Sequence, residues 1–282
     1  MFQEQDVLQK DLDKIFNLYY INPFKKIINF ISKIFVITEF EVRKLKHDPT
    51  ELFTRAAQPA LWMIVFGEVF TRVRAIPTGS MSYLDFMAPG ILAQSVLFIA
   101  IFYGISIIWE RDLGIVHKFL ASPTPRSALV LGKALSAGIR AVSQGVIIYL
   151  LSLLLNVQLS WAPLNLLGIL FVIIIGAALF STFSLIIACI VKTRERFMGI
   201  GQVLTMPLFF ASNAIYPISM MPNWLKVIAH INPLTYQVDA LRTFMIIGGK
   251  SAYGIPFDFF ALIFTIMVLT IIAALLYPSV VR

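Results

Sequence analysis

The chain has 282 residues, of which 59% are hydrophobic and only 13% are charged, against roughly a quarter charged in soluble domains. Its mean hydropathy of +0.84 indicates an integral membrane protein and excludes an ordinary soluble domain. The net charge of +8 does not indicate a nucleic-acid-binding protein, because the basic residues lie between apolar runs and form no cluster with aromatic residues. A single cysteine, Cys189, excludes an intramolecular disulfide and a cysteine-based metal site.

The first 51 residues are predicted to form a cytoplasmic region with one amphipathic helix. The stretch MFQEQDVLQKDLDKIF carries charges throughout and has no apolar core, so we expect no secretory signal peptide. Over residues 22–35, apolar residues recur at helical spacing opposite a face with lysines, which predicts a helix lying in the membrane interface. A charged connector is expected over residues 39–53, and the capping box at 48–51 predicts the next helix start.

Six apolar segments after residue 51 predict an all-α integral membrane fold with six transmembrane helices, forming one domain over residues 52–282. A hydrocarbon core of about 30 Å needs about 20 apolar residues in a helix, and residues 85–109 meet this requirement best. Charged residues limit the apolar length of the first segment, which contains Glu68, the only acid that lies inside a predicted span and not at its end. Gly201 and Pro207 predict a kink in the fifth. The expected spans cover about residues 52–70, 85–109, 129–155, 164–191, 199–215 and 259–277.

The distribution of lysine and arginine orients these spans. Apart from Arg140, which lies inside the third span, most basic residues fall in segments assigned to the cytoplasm. The positive-inside rule therefore predicts that both termini are cytoplasmic. The basic residues assigned to the outside are Arg72, Arg74, Lys226, Arg242 and Lys250.

The stretch between the second and third spans concentrates charge and helix-breaking residues. Gly114 can end or bend a helix, and Pro123 and Pro125 prevent a helix from continuing, so only a turn or two of helix fits between them. We expect a short cytoplasmic helix that makes a mechanical contact; from composition alone, a solvated loop that only sets topology is the alternative. The candidate contact residues are Glu110, Arg111, Asp112, Gly114, His117, Lys118, Phe119 and Leu120.

Arg140 is a second candidate functional residue. An arginine inside a span costs about 2.5–3.5 kcal/mol on insertion scales, so it needs a partner or a polar cavity. Two interpretations stay open at this point: Arg140 lines a translocation pathway, or it pairs structurally with a carbonyl group or with Gln144 one turn away.

Residues 211–249 break the membrane pattern with prolines and scattered polar side chains. This segment is too long for a turn and too apolar for a free loop, which predicts an external re-entrant segment of short helices. Asp239 and Arg242 are three residues apart, a spacing that allows an ion pair on one helical face. The residues singled out here are Asn232, Pro233, Tyr236, Asp239 and Arg242.

No catalytic chemistry is indicated by the sequence. The three histidines fall on opposite sides of the predicted membrane, and GGKS at 248–251 lacks the earlier glycine of a phosphate-binding loop because Phe244 stands there. No serine or cysteine nucleophile motif is visible. We therefore expect neither an enzyme nor a cofactor site on this chain.

Three stretches carry a resemblance to a known family: SYLDFMAPGILAQSVLF at 82–98, ERDLG at 110–114 with LASPTPRSALVLGK at 120–133, and YPISMMPNWLKVIAHINPLTYQVDALR at 216–242. They are similar to the membrane (permease) subunits of type-2 ABC exporters, among them drug and lipo-oligosaccharide exporters. The family often has a second glutamate and a threonine where Asp112 and Ile115 stand, so the loop's contacts differ in detail. The resemblance covers nearly everything after about residue 30.

The resemblance implies a half-channel in the plasma (inner) membrane of a prokaryote. A second permease subunit, with a homodimer expected, completes the pathway, and two cytoplasmic ABC ATPase subunits bind ATP and Mg. Membrane lipids are the other expected partners, and no nucleic acid is expected.

Roles for the candidate residues follow within this interpretation. Glu110, Arg111 and Asp112 are expected to form charge pairs with the ATPase, while Phe119 and Leu120 fill a hydrophobic groove. An amphiphilic, lipid-linked or glycan substrate is expected, and the candidate pathway residues are Arg140, Phe209, Phe210 and Tyr216. The alternative is a carrier driven by an ion gradient, which typically needs acids within the membrane.

Overall fold

The computed structural model describes residues 23–45, 57–73, 76–79, 81–122, 124–191 and 193–278. Within these ranges the regular structure is helical, apart from one isolated antiparallel bridge between Leu159 and Ile246. The predicted all-α fold is therefore confirmed. The capping box predicted at 48–51 lies outside the described residues, as does the beginning of the first predicted span.

Eleven α-helices are named here in chain order, together with a π-helical segment Trp62–Gly67 before α2 and a 3₁₀ turn Ile218–Met220 before α9. They are α1 (Pro23–Leu45), α2 (Glu68–Val73), α3 (Tyr83–Tyr103), α4 (Ile105–Asp112), α5 (Ile115–Ala121), α6 (Arg126–Leu154), α7 (Pro163–Ile190), α8 (Arg194–Phe210), α9 (Asn223–Ile231), α10 (Pro233–Met245) and α11 (Ile255–Leu276).

Four stretches of the described residues are helical and apolar over a length that can cross a membrane: α3 continuing into α4, α6, α7 and α11. Their ends lie within four residues of the second, third, fourth and sixth predicted spans. The fifth prediction is shifted, because α8 begins at Arg194 and ends before Ala211. The count of six spans stays a prediction.

The N-terminal helix is longer than the sequence pattern predicted. Part of the expected charged connector belongs to α1, which ends at Leu45. Arg43 pairs with Glu39 one turn away at 2.7 Å, so charged residues extend the helix along an exposed face. On the other face, the Thr38 hydroxyl donates to the Gly132 carbonyl at 3.1 Å, which fixes α1 against the beginning of α6.

Helix α3 lies at the centre of the fold and packs on α6, α7 and α10. In the most apolar stretch of Tyr83–Asp112, 78% of the residues are buried inside the chain, against 11% for α11. Close crossings depend on small residues: a methyl group at Gly104 would come within 2.0 Å of Ser184 Oγ on α7. Because so little of its apolar stretch is buried within the chain, helix α11 presents most of its apolar surface to lipid or to another subunit.

Candidate functional site

The sequence singled out residues 109–133; within them we name residues 109–122 the first charged loop, and we name residues 193–197 the second charged loop. Helix α4 ends at Asp112, and Gly114 adopts a left-handed conformation with φ of +71°, which lets the chain reverse without strain. Helix α5 then ends where the Ser122 hydroxyl donates to the Phe119 carbonyl at 2.7 Å. The short helix predicted between Gly114 and the prolines is confirmed.

Glu110 faces the interior of the bundle. Its side chain is 4% exposed, and Oε2 accepts a hydrogen bond from Lys133 Nζ at 2.8 Å, with the Lys133 side chain also 4% exposed. The ammonium group lies 5.9 Å from the centroid of the Tyr103 ring. Glu110 thus joins α4 to α6, and the expectation that it pairs with another subunit does not describe this structure.

Asp112 fastens the two charged loops to each other. Its Oδ2 accepts from Arg194 Nη2 at 2.8 Å, and its Oδ1 accepts from Arg111 Nη2 at 2.9 Å. The Arg194 guanidinium also lies 3.4 Å from the centroid of the Trp109 ring. Because Arg194 begins α8, this contact links α4 directly to α8. Sequence analysis did not predict this pair, although both residues fell on the same predicted side of the membrane.

The outward face of the first charged loop differs from the predicted one. Phe119 is half-buried and meets the Phe40 ring of α1 edge-on at 6.4 Å, so it packs within the chain. His117 and Lys118 are exposed, and Leu113, which the sequence analysis did not single out, is 69% exposed. The Leu120 side chain lies outside the described part of the structure. Leu113, His117 and Lys118 therefore belong to the accessible surface of the loop, together with Trp109 and Asp112.

Arg140 lies against an aromatic side chain of α3. The guanidinium carbon is 4.9 Å from the centroid of the Tyr103 ring, and the Tyr103 hydroxyl shares a 2.8 Å hydrogen bond with Ser136. The buried amide of Gln144 has no hydrogen-bond partner among the described residues, so the predicted Arg140–Gln144 pair does not form. A cation over an aromatic face offsets part of the cost of an arginine inside a span.

The aromatic pathway candidates form one group but differ in burial. Phe209 is 1% exposed, and its ring lies 6.2 Å from Trp62 and 5.4 Å from Phe210. Phe210 is partly exposed, and its carbonyl accepts from the Tyr216 hydroxyl. In the single chain, only Phe210 and Tyr216 of this group reach the surface. Trp62, in the π-helical segment, completes it and was not predicted.

At the opposite end of the bundle, Asn232 holds the corner between α9 and α10. Its Oδ1 accepts from the Leu234 amide at 3.0 Å as the N-cap of α10, and Pro233 occupies the first helical position. Its Nδ2 donates to the carbonyl groups of Leu208 and Ala211 at 2.7 and 2.9 Å. The Tyr236 hydroxyl donates to the His230 carbonyl. The corner is therefore fixed to the end of α8.

The predicted ion pair between Asp239 and Arg242 is confirmed and is buried. Arg242 Nη1 donates to Asp239 Oδ1 at 3.1 Å, and the side chains are 5% and 1% exposed. Asn213 supplies a carbonyl to Arg242 Nη2 at 2.8 Å and an amide donor to Asp239, while the Ala252 amide donates to Asp239 Oδ2 at 3.0 Å. The Arg242 guanidinium lies 4.0 Å from the Phe86 ring centroid.

Burial shifts both charges of this pair. It raises the pKa of the Asp239 carboxyl, and the nearby Arg242 charge, the Ala252 amide and Asn213 oppose that rise. Burial also lowers the pKa of Arg242 to about 10, which leaves the guanidinium charged at neutral pH. Hydrogen bonds from Arg242, Asn213 and the Ala252 amide hold the Asp239 carboxyl in place.

Asp258 is a buried acid that the sequence analysis placed outside the spans. Helix α11 begins at Ile255, four residues before the predicted span, so Asp258 lies in its first turn and is fully buried. Within the described ranges, the four stretches that can cross a membrane contain Asp85, Glu110, Asp112 and Asp258 but not Glu68, so the prediction that Glu68 is the only acid within a span is wrong. Among the described residues, no group of three His, Cys, Asp or Glu side chains is arranged to hold a metal ion.

Comparison with known proteins matches the sequence of this chain to one family. A family model described as ABC-2 type transporter matches residues 32–246. The transport permease ycf38 of Cyanophora paradoxa is 31% identical over 219 residues, covering 76% of this chain and 74% of that protein. The daunorubicin resistance ABC transporter permease protein DrrB1 of Streptomyces coeruleorubidus is 26% identical over 200 residues, covering 71% and 70%. The chain therefore belongs to the ABC-2 type transporter family, as a multi-pass, non-catalytic membrane permease subunit of an ABC transporter.

Proposed function

We propose that this permease is the transmembrane subunit of an ATP-driven exporter and forms half of its translocation pathway. Two copies of a separate cytoplasmic ABC ATPase bind ATP and Mg, and a second copy of the permease completes the pathway. The family match supports a partnership with an ABC ATPase. The excess of basic residues on one predicted side supports an orientation with both termini in the cytoplasm, and we propose the plasma membrane as the location of the permease.

The observation that carries the proposal is the bracing of the end of α4, directly before α5. Lys133 fixes the end of α4 to α6 through Glu110, and Arg194 fixes it to α8 through Asp112. A force applied to the exposed face of α5 therefore reaches two long helices through short polar contacts. ATP binding can change the conformation of the permease only if the ATPase contacts the permease differently in the two conformational states. Because the loop is braced to α6 and α8, a movement at this contact would shift both helices together.

The exposed face of the loop supports this assignment of the ATPase contact. Leu113 offers an apolar side chain that water surrounds in the single chain, and Lys118 adds a positive charge beside it. Interfaces concentrate their binding energy in a few such side chains, with charges that fix orientation. We assign the ATPase contact to Leu113, His117 and Lys118, whereas Glu110 and Phe119 brace the loop from inside.

An amphiphilic substrate, lipid-linked or glycan-bearing, is the cargo we propose. The aromatic group of Trp62, Phe209 and Phe210 offers large apolar rings beside the Tyr216 hydroxyl. Apolar pathways with few charges suit substrates that carry an apolar part. One relative of this chain is named for daunorubicin resistance, which is the property of that protein.

The test is ATP hydrolysis by the permease reconstituted with the ABC ATPase that co-purifies with it. We expect Lys118→Glu to reduce both co-purification of the ATPase and permease-dependent hydrolysis about tenfold, because it reverses a charge at the contact. Lys226→Glu, on α9 at the other end of the helical bundle, is the matched control and should leave co-purification and ATP hydrolysis unchanged. Equal behaviour of the two variants would refute the assigned contact, and transport by the purified chain without any ATPase would refute the function.

A further inference from the structure

A cavity of about 470 Å³ opens at the end of the bundle that carries the Asp239–Arg242 pair. We name it the distal pocket; it lies between the beginning of α3, the segment after α8, the helix α10 and the loop before α11. A second cavity of about 450 Å³ shares Pro77, Thr78 and Met81 with it. Each volume falls within the usual range of ligand sites.

One side of the distal pocket carries hydrogen-bond donors. Arg242 forms the floor with an almost fully buried side chain, and its Nη1 and Nη2 atoms donate to Asp239 and to the Asn213 carbonyl. Lys250 stands at the rim, is exposed and makes no ion pair with a described residue. Ser219 adds an exposed hydroxyl group from the 3₁₀ turn. These three side chains come from three separate segments and meet at one opening.

Among the residues that line this side the charge balance is positive, and Asp258, an acid close to Asp239 and Ser251, is fully buried. Asp239 is the only acid among the lining residues, and Arg242, Asn213 and the Ala252 amide already occupy its oxygens. Lys250 therefore contributes a charge that the pocket does not neutralise. An oxyanion accepts hydrogen bonds from ammonium, guanidinium and hydroxyl donors, and such charge-assisted bonds are stronger than neutral ones.

The other side of the distal pocket is apolar. Phe86, Pro217 and Ile218 line it together with Pro77 and Met81. A free inorganic ion would leave these side chains without a partner, whereas the hydrocarbon part of an amphiphile would cover them.

We propose that the distal pocket binds an amphiphile with an anionic oxyacid headgroup, phosphate or carboxylate, on the side of the membrane opposite the ATPase. The headgroup lies between Lys250, Ser219 and the floor at Arg242, and its apolar part rests on Phe86 and Ile218. Within the proposed function, this is a site on the release side of the exporter. Binding itself depends on neither the ATPase nor transport.

The experiment titrates the purified full-length permease, in an uncharged maltoside detergent, with dodecyl phosphate and counts one-to-one adducts by native mass spectrometry. We expect Lys250→Gln to weaken binding about fivefold, the scale of one partly exposed charge contact. Ser219→Trp, which fills the opening, should abolish the saturable adduct. Lys226→Gln, outside the pocket, is the control and should bind as the unchanged chain does.

Two competitors identify the source of the headgroup. An excess of inorganic phosphate should displace dodecyl phosphate poorly, because it lacks the apolar part, and dodecyl glucoside should displace it poorly, because it lacks the charge. Displacement by inorganic phosphate at equal concentration would mean that the pocket takes a free oxyanion, which overturns the amphiphile. Equal binding by Lys250→Gln, Ser219→Trp and Lys226→Gln would overturn the site. Neither result depends on ATP, so the proposed exporter function is tested separately.

Discussion

The two ends of the helical bundle handle charge in opposite ways. At one end, Asp239 and Arg242 are buried and bonded to neighbouring backbone groups, and Asn232 closes the adjoining helix corner. At the other, Glu110 is buried against Lys133, but Asp112 and Arg194 are partly exposed, and an outward face is left uncovered. The first arrangement holds the helices at that end of the bundle together, whereas the second supports an exposed surface that another protein can bind.

The difference shows how similar charged pairs serve separate roles. Removing one partner of a buried ion pair strongly lowers the free energy of unfolding, because the remaining charge is neither paired nor solvated. A pair at the surface contributes little to stability, and its main effect is to orient the groups around it. Substitutions at the two ends should therefore separate stability from coupling.

The largest effect is expected at the buried pair of Asp239 and Arg242. Arg242→Leu leaves the Asp239 carboxylate without its cation in the interior, which should cost about 3–5 kcal/mol of the free energy of unfolding. Thermal unfolding of the purified permease in detergent measures this loss. The double variant Asp239→Leu with Arg242→Leu removes both charges and should recover part of it. A melting temperature of Arg242→Leu equal to that of the unchanged chain would contradict the described pair.

A smaller loss is expected at the buried pair of the first charged loop. Glu110→Ala leaves the Lys133 ammonium buried beside Tyr103, which should cost about 2–3 kcal/mol. The same melting experiment applies, with Glu110→Ala and Lys133→Met combined as the control that removes both charges. The combined variant should melt closer to the unchanged chain than Glu110→Ala does. If both variants melt at the unchanged temperature, the pair does not brace the loop.

The smallest loss is expected at the exposed contact between the charged loops. Arg194→Ala removes the bond to Asp112 and the stacking on Trp109, together worth about 1 kcal/mol. Arg43→Ala, which breaks an exposed pair within α1, is the matched control and should cost about 0.3–0.5 kcal/mol. Only Arg194→Ala should also reduce ATPase activity in the reconstituted complex. Equal loss of activity in the two variants would exclude a specific link between the loops.

Sequence analysis anticipated the features that depend on local pattern. Apolar length predicted the ends of four long helices, Gly114 predicted the break before α5, and the three-residue spacing of Asp239 and Arg242 predicted their pair. Each of these signals is carried by residues close together in the chain. The resemblance carried by three sequence stretches predicted the ABC-2 family, and the family match confirms it.

The features that were missed depend on which way a side chain points. Glu110 and Phe119 were expected to face a partner, but they pack inside the chain against Lys133 and Phe40. Such contacts join residues far apart in sequence, and a short segment of mixed polarity does not indicate which face is buried. The extra length of α1 was missed because a charged stretch between apolar segments is typical of a loop. The four-residue spacing of Glu39 and Arg43, which allows an ion pair on a helix, was the signal for a longer helix.

A separate ATPase is expected to bind the outward face of the first charged loop. A photo-crosslinking amino acid placed at Leu113, which is 69% exposed, tests this directly against the same probe at Trp224, which is 66% exposed at the opposite end. In membranes that contain the permease and the ABC ATPase, the account predicts that the probe at Leu113 captures the ATPase and the probe at Trp224 does not. Capture from Trp224, or from neither position, would contradict it.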